Sequence, residues 1–220
     1  DYAGAAIYVC SIFNDSGKYP EEGENLIIKN CNFTNNFAQV AAGAIGVYGN
    51  NTKVIGCNFV SNKVKPTSNH EAYGGAIQIG RDEYNLCSYV VNCSFINNGA
   101  IGRNLNNSHG GAGCVRAGII YQNCKFINNS AGQGGALTYH ASGSIEDCVF
   151  INNSAKLYGG ALSTGYIDGD MELIVVNCNF EQNNAPYGGA VQLKGKNIEI
   201  HKSIFNKNIA AINGGAINII

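Results

Sequence analysis

Two short motifs alternate along this chain, and their repetition limits the folds that it can adopt. Phe-x-x-Asn occurs seven times, and a Gly-Gly-Ala motif follows each copy, with Ala in place of the first glycine after the first copy. Residues 148–162, with the sequence CVFINNSAKLYGGAL, show one complete unit. The steps from one Phe to the next are 26, 36, 31, 24, 30 and 25 residues. Self-similarity at a period of about 20 to 50 residues is typical of solenoids, propellers and arrays.

Within each repeat, apolar and polar residues alternate over three to five residues, as in Ile77-Gln78-Ile79 and Ile198-Glu199-Ile200. This pattern is typical of short strands. We predict three strands for each repeat: one before the Cys, one at Cys-x-Phe, and one after the glycine pair. The predicted fold is therefore all-β, a single-stranded right-handed parallel β-helix of about seven coils. Because the chain starts and stops within repeats, we interpret residues 1–220 as a single β-helix domain, a fragment of a longer protein.

Equivalent residues of successive coils stack in such a fold, so the repeated positions predict the core. The predicted aromatic ladder is Phe33, Phe59, Phe95, Phe126, Phe150, Phe180 and Phe205. The predicted thiol ladder, two residues earlier, is Cys31, Cys57, Cys93, Cys124, Cys148 and Cys178. Since Ser203 occupies the seventh thiol position and the total of nine cysteines is odd, we expect free thiols rather than disulfides. The Asn of Phe-x-x-Asn is expected at a left-handed turn, where stacked amides can also bond along the axis.

The charge of the chain argues against several classes of partner. Lys and Arg total 14 and Asp and Glu total 15, which gives a net charge of −1. Such a chain offers no electrostatic basis for binding nucleic acid or an anionic membrane. No apolar run approaches the roughly 20 residues of a transmembrane helix, so we also expect no membrane insertion.

Two repeated positions are candidates for a ligand-binding surface. The predicted outward residue of the strand after the glycine pair would form a flat, polar strip that includes Gln78, Thr138, Ser163 and Gln192. The residue before the glycine pair is often aromatic, as in Tyr73, His109, Tyr158 and Tyr187. Tyr beside amides and hydroxyls suits sugar rings. A solvated sheet face, with Tyr covering corners of the core, explains the same pattern equally well.

Evidence for a cofactor or for catalysis is weak. Asp168, Asp170 and Glu172 could ligate Ca²⁺ through carboxylate oxygens, but a solvated turn is the favoured interpretation, so we predict no metal and no other cofactor. No pair of acids is placed where glycosidase chemistry would need it, so we expect no enzyme. Asn-x-Ser/Thr sequons predict possible N-glycosylation at Asn14, Asn32, Asn50, Asn92, Asn106, Asn128 and Asn152.

The alternation of Phe-x-x-Asn with Gly-Gly-Ala-[Ile/Leu/Val] resembles the repeats of the polymorphic outer membrane protein type. The variant at residues 123–136 and 147–161 is similar to adhesin-like surface proteins of methanogenic archaea. This resemblance implies a right-handed β-helix that is displayed outside the cell and used for adhesion, with no catalytic residues to transfer. Two residues depart from the pattern: Ala42 replaces a first glycine, and Gly113 replaces the usual aliphatic residue.

Three functions follow from these observations, in decreasing order of preference. The first is an extracellular adhesin or binding module at the cell surface, which recognises a glycan or protein of a host or neighbouring cell through the β-helix flank and inserted loops. The links at residues 63–73 and 99–109 are the longest between the two motifs. The second is a structural spacer or filament component, joined to flanking repeats or other copies. The third is a carbohydrate-active enzyme, a polysaccharide lyase or hydrolase.

Overall fold

The computed structural model describes residues 6–9, 25–48, 51–67, 70–80, 88–165 and 171–220. Every strand pairing among these residues is parallel, and the strands of successive coils stack in four sheets, so the predicted β-helix is confirmed. The described residues contain one helical element, the 3-10 turn Leu105–Asn107. None of them forms a helix that is long and apolar enough to cross a membrane.

The three strands predicted for each coil are present, and each kind forms its own sheet. The sheet before the Cys consists of Ile27–Lys29, Lys53–Ile55, Ser88–Val91, Ile119–Gln122, Gly143–Glu146, Glu172–Val176 and Asn197–His201. The Cys-x-Phe sheet consists of Asn32–Thr34, Asn58–Val60, Ser94–Ile96, Lys125–Ile127, Val149–Ile151, Asn179–Glu181 and Ile204–Asn206. The post-glycine sheet consists of Ile7–Val9, Ile45–Val47, Ile77–Ile79, Gly113–Val115, Leu137–Tyr139, Leu162–Thr164, Val191–Leu193 and Ile217–Ile219.

The link between the two motifs forms a fourth sheet that we did not predict. This link sheet consists of Phe37–Ala38, Lys63–Val64, Ala72–Tyr73, Gly99–Ala100, Ser108–His109, Ser130–Gln133, Ser154–Tyr158, Asn184–Tyr187 and Ile209–Asn213. Its inward residues are small, and five of them form a second core apart from the main one: Ala38, Val64, Ala72, Ala100 and Ala131. We call the link sheet, together with this small core, the flange.

The predicted aromatic ladder is confirmed. Consecutive Phe rings lie 4.7 to 5.0 Å apart and within 7° of parallel from Phe33 to Phe205. The five inner rings are fully buried, and Phe205, which stacks only on Phe180 among the described rings, is partly buried. Full burial of a Phe contributes about 1.5 to 3 kcal/mol, so the ladder is a major source of stability.

The thiol ladder is also present, with one exception. Five of its six cysteines are buried, but Cys31 is exposed, because its only described neighbour in the ladder is Cys57. All the described cysteines are free, as expected, whereas Cys10 and Cys87 lie outside the described residues. Burial raises the pKa of Cys57 and Cys124, and a hydrogen bond with Cys148, followed by burial, raises that of Cys178. These three thiols therefore stay protonated and are poor nucleophiles.

The Asn of Phe-x-x-Asn lies inside the molecule, where it forms a hydrogen-bonded ladder. The side-chain Nδ2 of Asn153 donates to Asn183 Oδ1 at 3.0 Å and to the carbonyl oxygen of Phe126 at 2.9 Å. The backbone N–H of Asn153 also donates to Asn183 Oδ1, at 2.9 Å. The same bonds recur from coil to coil along the buried ladder: Asn62, Asn98, Asn129, Asn153 and Asn183.

The expectation that this Asn adopts the left-handed turn is wrong. The left-handed residue is its neighbour on the N-terminal side, such as Asn128 at φ +56° or Asn152 at φ +53°. These neighbours are exposed, whereas the ladder Asn continues the chain inward. The left-handed turn is thus what allows the next residue to point its amide into the core.

The two glycines of each pair have different roles. The first is left-handed, with φ between +57° and +66° in the six complete pairs, and Ala42 adopts φ +53° where it replaces that glycine. The second glycine is a point of close approach between coils in every pair except the last, where a Cβ on Gly215 would meet nothing within 4 Å. A Cβ on Gly135 would lie 2.0 Å from the carbonyl oxygen of Gly160, so no side chain fits there.

Gly113, which departs from the repeat pattern, makes room for a large neighbour in the core. A Cβ on Gly113 would lie 2.6 Å from the hydroxyl of Tyr121. Tyr121 is fully buried, packs edge-on against Phe126, and has a hydroxyl with no hydrogen-bond partner among the described residues. The missing aliphatic side chain at position 113 therefore compensates for the extra volume of Tyr121.

We predict that Asn153→Ala lowers the free energy of unfolding by about 3 kcal/mol or more, because it leaves several buried groups of Asn129 and Phe126 without partners, at about 1 to 3 kcal/mol each. Chemical denaturation measures the loss. The matched control is Asn152→Gly, which keeps the left-handed turn and removes only an exposed hydrogen bond to Asn128. Its cost should stay within about 1 kcal/mol. Equal losses in both variants would contradict the amide ladder as a stabilising element.

We also predict coupling between Gly113 and Tyr121. Gly113→Ala should destabilise the chain by about 1 to 3 kcal/mol through overpacking. Tyr121→Phe should be neutral or stabilise by up to about 1 kcal/mol, since it removes a buried hydroxyl without a partner. In the Tyr121→Phe background, Gly113→Ala should lose most of its cost. A double-mutant cycle by chemical denaturation tests this, and costs that add within about 0.3 kcal/mol would refute it.

Candidate functional site

The predicted ligand residues come together in one groove along the outside of the post-glycine sheet. Its floor is the polar strip, formed by the middle residue of each post-glycine strand. Its wall is the row of residues that precede the glycine pairs. The chain turns at each pair, so the last residues of the link sheet lie beside the post-glycine sheet. Tyr158 and Gln133 lie together with Ser163 and Gln192 around one cleft. We call this surface the post-glycine groove.

The strip is not the exposed face that we predicted. Gln78, Thr138, Ser163 and Gln192 are at most 3% exposed. The wall residues cover them from one side. For example, the Thr138 hydroxyl donates to the carbonyl oxygen of the wall residue Gln133 at 2.9 Å. Residues two positions further along each strand point to the same face and supply larger side chains, such as Arg116, His140 and Lys194. The accessible part of the groove is therefore its wall and rim.

In the N-terminal half of the groove, the wall residues pack mainly on one another. The rings of Tyr73 and His109 are stacked with centroids 5.2 Å apart, and His109 meets His140 edge-on at 5.0 Å. The Arg116 guanidinium carbon lies 5.1 Å from the centre of the Tyr73 ring. Because His109 occupies one face of Tyr73, that face does not offer a sugar a platform, contrary to the use we expected from the sequence.

Burial controls the charge of His109. Its side chain is 7% exposed, and burial lowers its pKa to about 3, with the neighbouring His140 and Arg116 lowering it further. The Nδ1 atom of His109 has no hydrogen-bond partner among the described residues. His109 is therefore a neutral, buried part of the wall at physiological pH.

The C-terminal half of the groove has two neighbouring tyrosines on its wall. Tyr158 and Tyr187 are both half-buried, with ring centroids 5.5 Å apart and ring planes tilted by 39°. Gln192 lines the same cleft as Tyr158 and accepts a hydrogen bond from Asn218 at 2.7 Å, and its Nε2 has no partner among the described residues. Because Gln192 is only 3% exposed, this amide does not reach the surface. The two tyrosines are therefore the side chains of this half that a ligand can contact.

Sequence reasoning missed Lys194 as a lining residue of this cleft, and it identified Gln133 only by its place before a glycine pair, not by its contact. Gln133 is held in place by a hydrogen bond of 2.7 Å from its Nε2 to the carbonyl oxygen of Asn106, in the long link of a neighbouring coil. Lys194 follows Gln192 by two residues, and its backbone N–H donates to the Thr164 hydroxyl at 2.6 Å. Strand alternation could have identified Lys194, but no repeat pattern links Gln133 to Asn106.

The other predicted sites are only partly visible. Of the weak calcium ligands, Glu172 is exposed, and Asp168 and Asp170 lie outside the described residues. In the described part of the chain, no group of three or more His, Cys, Asp or Glu side chains could hold a metal ion. The sequons at Asn32, Asn92, Asn106, Asn128 and Asn152 are exposed, and those at Asn14 and Asn50 are not described. Glycosylation stays a prediction.

Comparison with known proteins supports the repeat type. A family model described as the Chlamydia polymorphic membrane protein (Chlamydia_PMP) repeat matches residues 147–165, which hold one Phe-x-x-Asn motif and the glycine pair that follows it. The fold and this match define a parallel β-helix that carries a polymorphic membrane protein repeat. No curated protein and no solved structure matches the chain.

The buried His109 predicts a pH dependence of stability. Between pH 6.5 and about 3, the unfolded chain binds a proton on this histidine and the folded chain does not. The free energy of unfolding should therefore fall as the pH decreases below 6.5, by at most about 1.4 kcal/mol per pH unit from this residue. His109→Gln should remove this part of the pH dependence of the free energy of unfolding. His201→Gln, at an exposed position, is the control and should leave it unchanged.

Chemical denaturation at about pH 7 and about pH 5 compares the two variants with the unchanged chain. If the stability of His109→Gln falls by as much as that of the unchanged chain over this interval, His109 does not remain neutral in the folded state.

Proposed function

We propose that this chain is an adhesin-type binding module that is displayed outside the cell. The proposal is supported by the repeat type, since the resemblance drawn from the sequence implies surface display and adhesion. The likeness to surface proteins of methanogenic archaea is part of the same proposal and rests on the sequence variant at residues 123–136 and 147–161 alone. The partner would be a glycan or protein on a host or neighbouring cell.

The observation that carries the proposal is the pair of half-buried tyrosines, Tyr158 and Tyr187, on the wall of the groove. Tyrosine rings present apolar surface and a hydroxyl, which together suit the hydroxyl-bearing rings of a glycan. The named residues of the groove include no carboxylate. Coils that are hydrogen-bonded along the axis hold the two rings in one arrangement, which lowers the entropic cost of binding.

We propose binding without catalysis. Hydrolysis of a glycosidic bond requires two carboxyl groups about 5 to 9 Å apart, and no such pair lies among the groove residues that the structure describes. An enzyme and a structural spacer remain the alternatives. A spacer needs no ligand, so it predicts no selective binding, and an enzyme predicts product release.

The test is a glycan array probed with the whole chain, followed by titration of the glycans that bind. We expect Tyr158→Ala and Tyr187→Ala each to weaken binding by about tenfold, which corresponds to about 1.4 kcal/mol for a central tyrosine contact. Tyr89→Ala is the matched control, because Tyr89 is 37% exposed on the sheet before the Cys, away from the groove. It should bind as the unchanged chain does.

Three results would count against the proposal. Binding that survives both groove substitutions would place the ligand elsewhere on the molecule. Release of new sugar chain ends from a bound polysaccharide would show an enzyme. A chain that binds no glycan and no surface protein of a neighbouring cell would favour the spacer.

A further inference from the structure

Described residues of the two longest links line a second cleft. It has a volume of about 500 Å³ and is lined by Phe37, Lys65, Pro66, Thr67, Ile101 and Arg103. It shares none of these residues with the post-glycine groove, so it is independent of the function proposed above. Ligand-binding clefts commonly measure about 300 to 1,000 Å³, so this one is large enough to receive side chains of a partner. We call it the insertion cleft.

The floor of the insertion cleft is apolar and exposed. Phe37 and Ile101 keep 53% and 49% of their surface accessible. Both lie on the outer side of the link sheet, next to the buried small residues Ala38 and Ala100. The apolar floor is therefore a surface of the flange and not a gap in the main core.

The backbone of the cleft is fixed by hydrogen bonds. The N–H of Ile101 donates to the carbonyl oxygen of Val64, and the N–H of Lys65 donates to that of Ala38, at 2.9 and 3.0 Å. The buried Ser108 hydroxyl closes the second long link, because it accepts from the N–H of Gly102 at 2.8 Å and donates to the carbonyl oxygen of Asn104 at 3.0 Å. The cleft is thus formed before any partner binds.

The charge at the rim has one sign. Lys65 and Arg103 are exposed, and neither forms an ion pair with another described residue. The lining residues include no carboxylate. Two cations above an apolar floor are complementary to a ligand that carries both carboxylates and apolar side chains.

We propose that the insertion cleft binds an acidic peptide segment of a partner protein. Apolar side chains of the segment pack against Phe37 and Ile101, and its carboxylates meet Lys65 and Arg103 at the rim. A membrane surface is a poorer fit, because membrane binding grows with the apolar area that is buried, and Phe37 and Ile101 are the only large apolar side chains among the described residues that line the cleft. The partner protein is bound here at a site separate from the groove.

The test uses fluorescence anisotropy of labelled synthetic peptides added to the whole chain. The probe is a short peptide with two central leucines flanked on each side by glutamates. One control peptide has lysines in place of the glutamates, and another has serines in place of the leucines. We expect binding of the acidic leucine peptide, and binding at least about tenfold weaker for each control, since one reverses the charge and the other removes the apolar contact.

Variants of exposed residues locate the site on the chain. Lys65→Glu and Arg103→Glu should each weaken binding of the acidic leucine peptide by about 3- to 10-fold and reduce its dependence on salt. Ile101→Ser should weaken it without changing that salt dependence. Lys156→Glu is the matched control, because Lys156 is exposed in the link sheet of a short repeat, outside the cleft. Thermal melting checks that all four variants remain folded.

Three results would overturn the proposal. The first is equal binding of the glutamate and lysine peptides. The second is binding that the folded Lys65→Glu and Arg103→Glu variants leave unchanged. The third is binding to phosphatidylserine vesicles but to none of the peptides, which would identify a lipid surface instead.

Discussion

Hydrogen bonding between the buried corner asparagines fixes the axial register on which the rest of the structure depends. Each inner Asn donates from its backbone and its side chain to the Asn of the next coil, and from its side chain to a Phe carbonyl oxygen of the coil before. A buried amide without partners is costly, so these bonds are satisfied only when Asn stacks on Asn. Stacking of Phe on Phe and of Cys on Cys follows from the same register.

This register explains where the sequence can vary. A longer side chain inside one coil must be matched by a smaller one nearby, as Gly113 matches Tyr121. Extra residues are tolerated where the chain leaves the main core, and the two longest links therefore extend the flange. Both candidate sites lie along this flange: the post-glycine groove where it rejoins the post-glycine sheet, and the insertion cleft on its outer side.

The sequence predicted what repetition can reveal. Phe126 and Cys148 each occupy a repeat position that recurs along the chain. Their ladders could therefore be predicted from the rule that equivalent residues of successive coils stack. It did not predict that Ser163 and Gln192 are buried, because the side chains that cover them belong to a different strand across a corner. It also did not predict the contact of Gln133 with Asn106, since that contact depends on a link found in one repeat only.

The separation of the two hydrophobic cores bears on how such a chain can acquire binding surfaces. The main core contains the Phe and Cys ladders, whereas the flange has its own small core around Val64 and Ala100. At Gly75 the main core and the flange approach closely, since a Cβ there would lie 2.5 to 2.6 Å from the backbone of Gly99. No side chain fits between the two cores at this point. A change in link length or in an outward residue such as Ile101 then alters a surface without opening the ladders, so binding properties can diverge at little cost in stability.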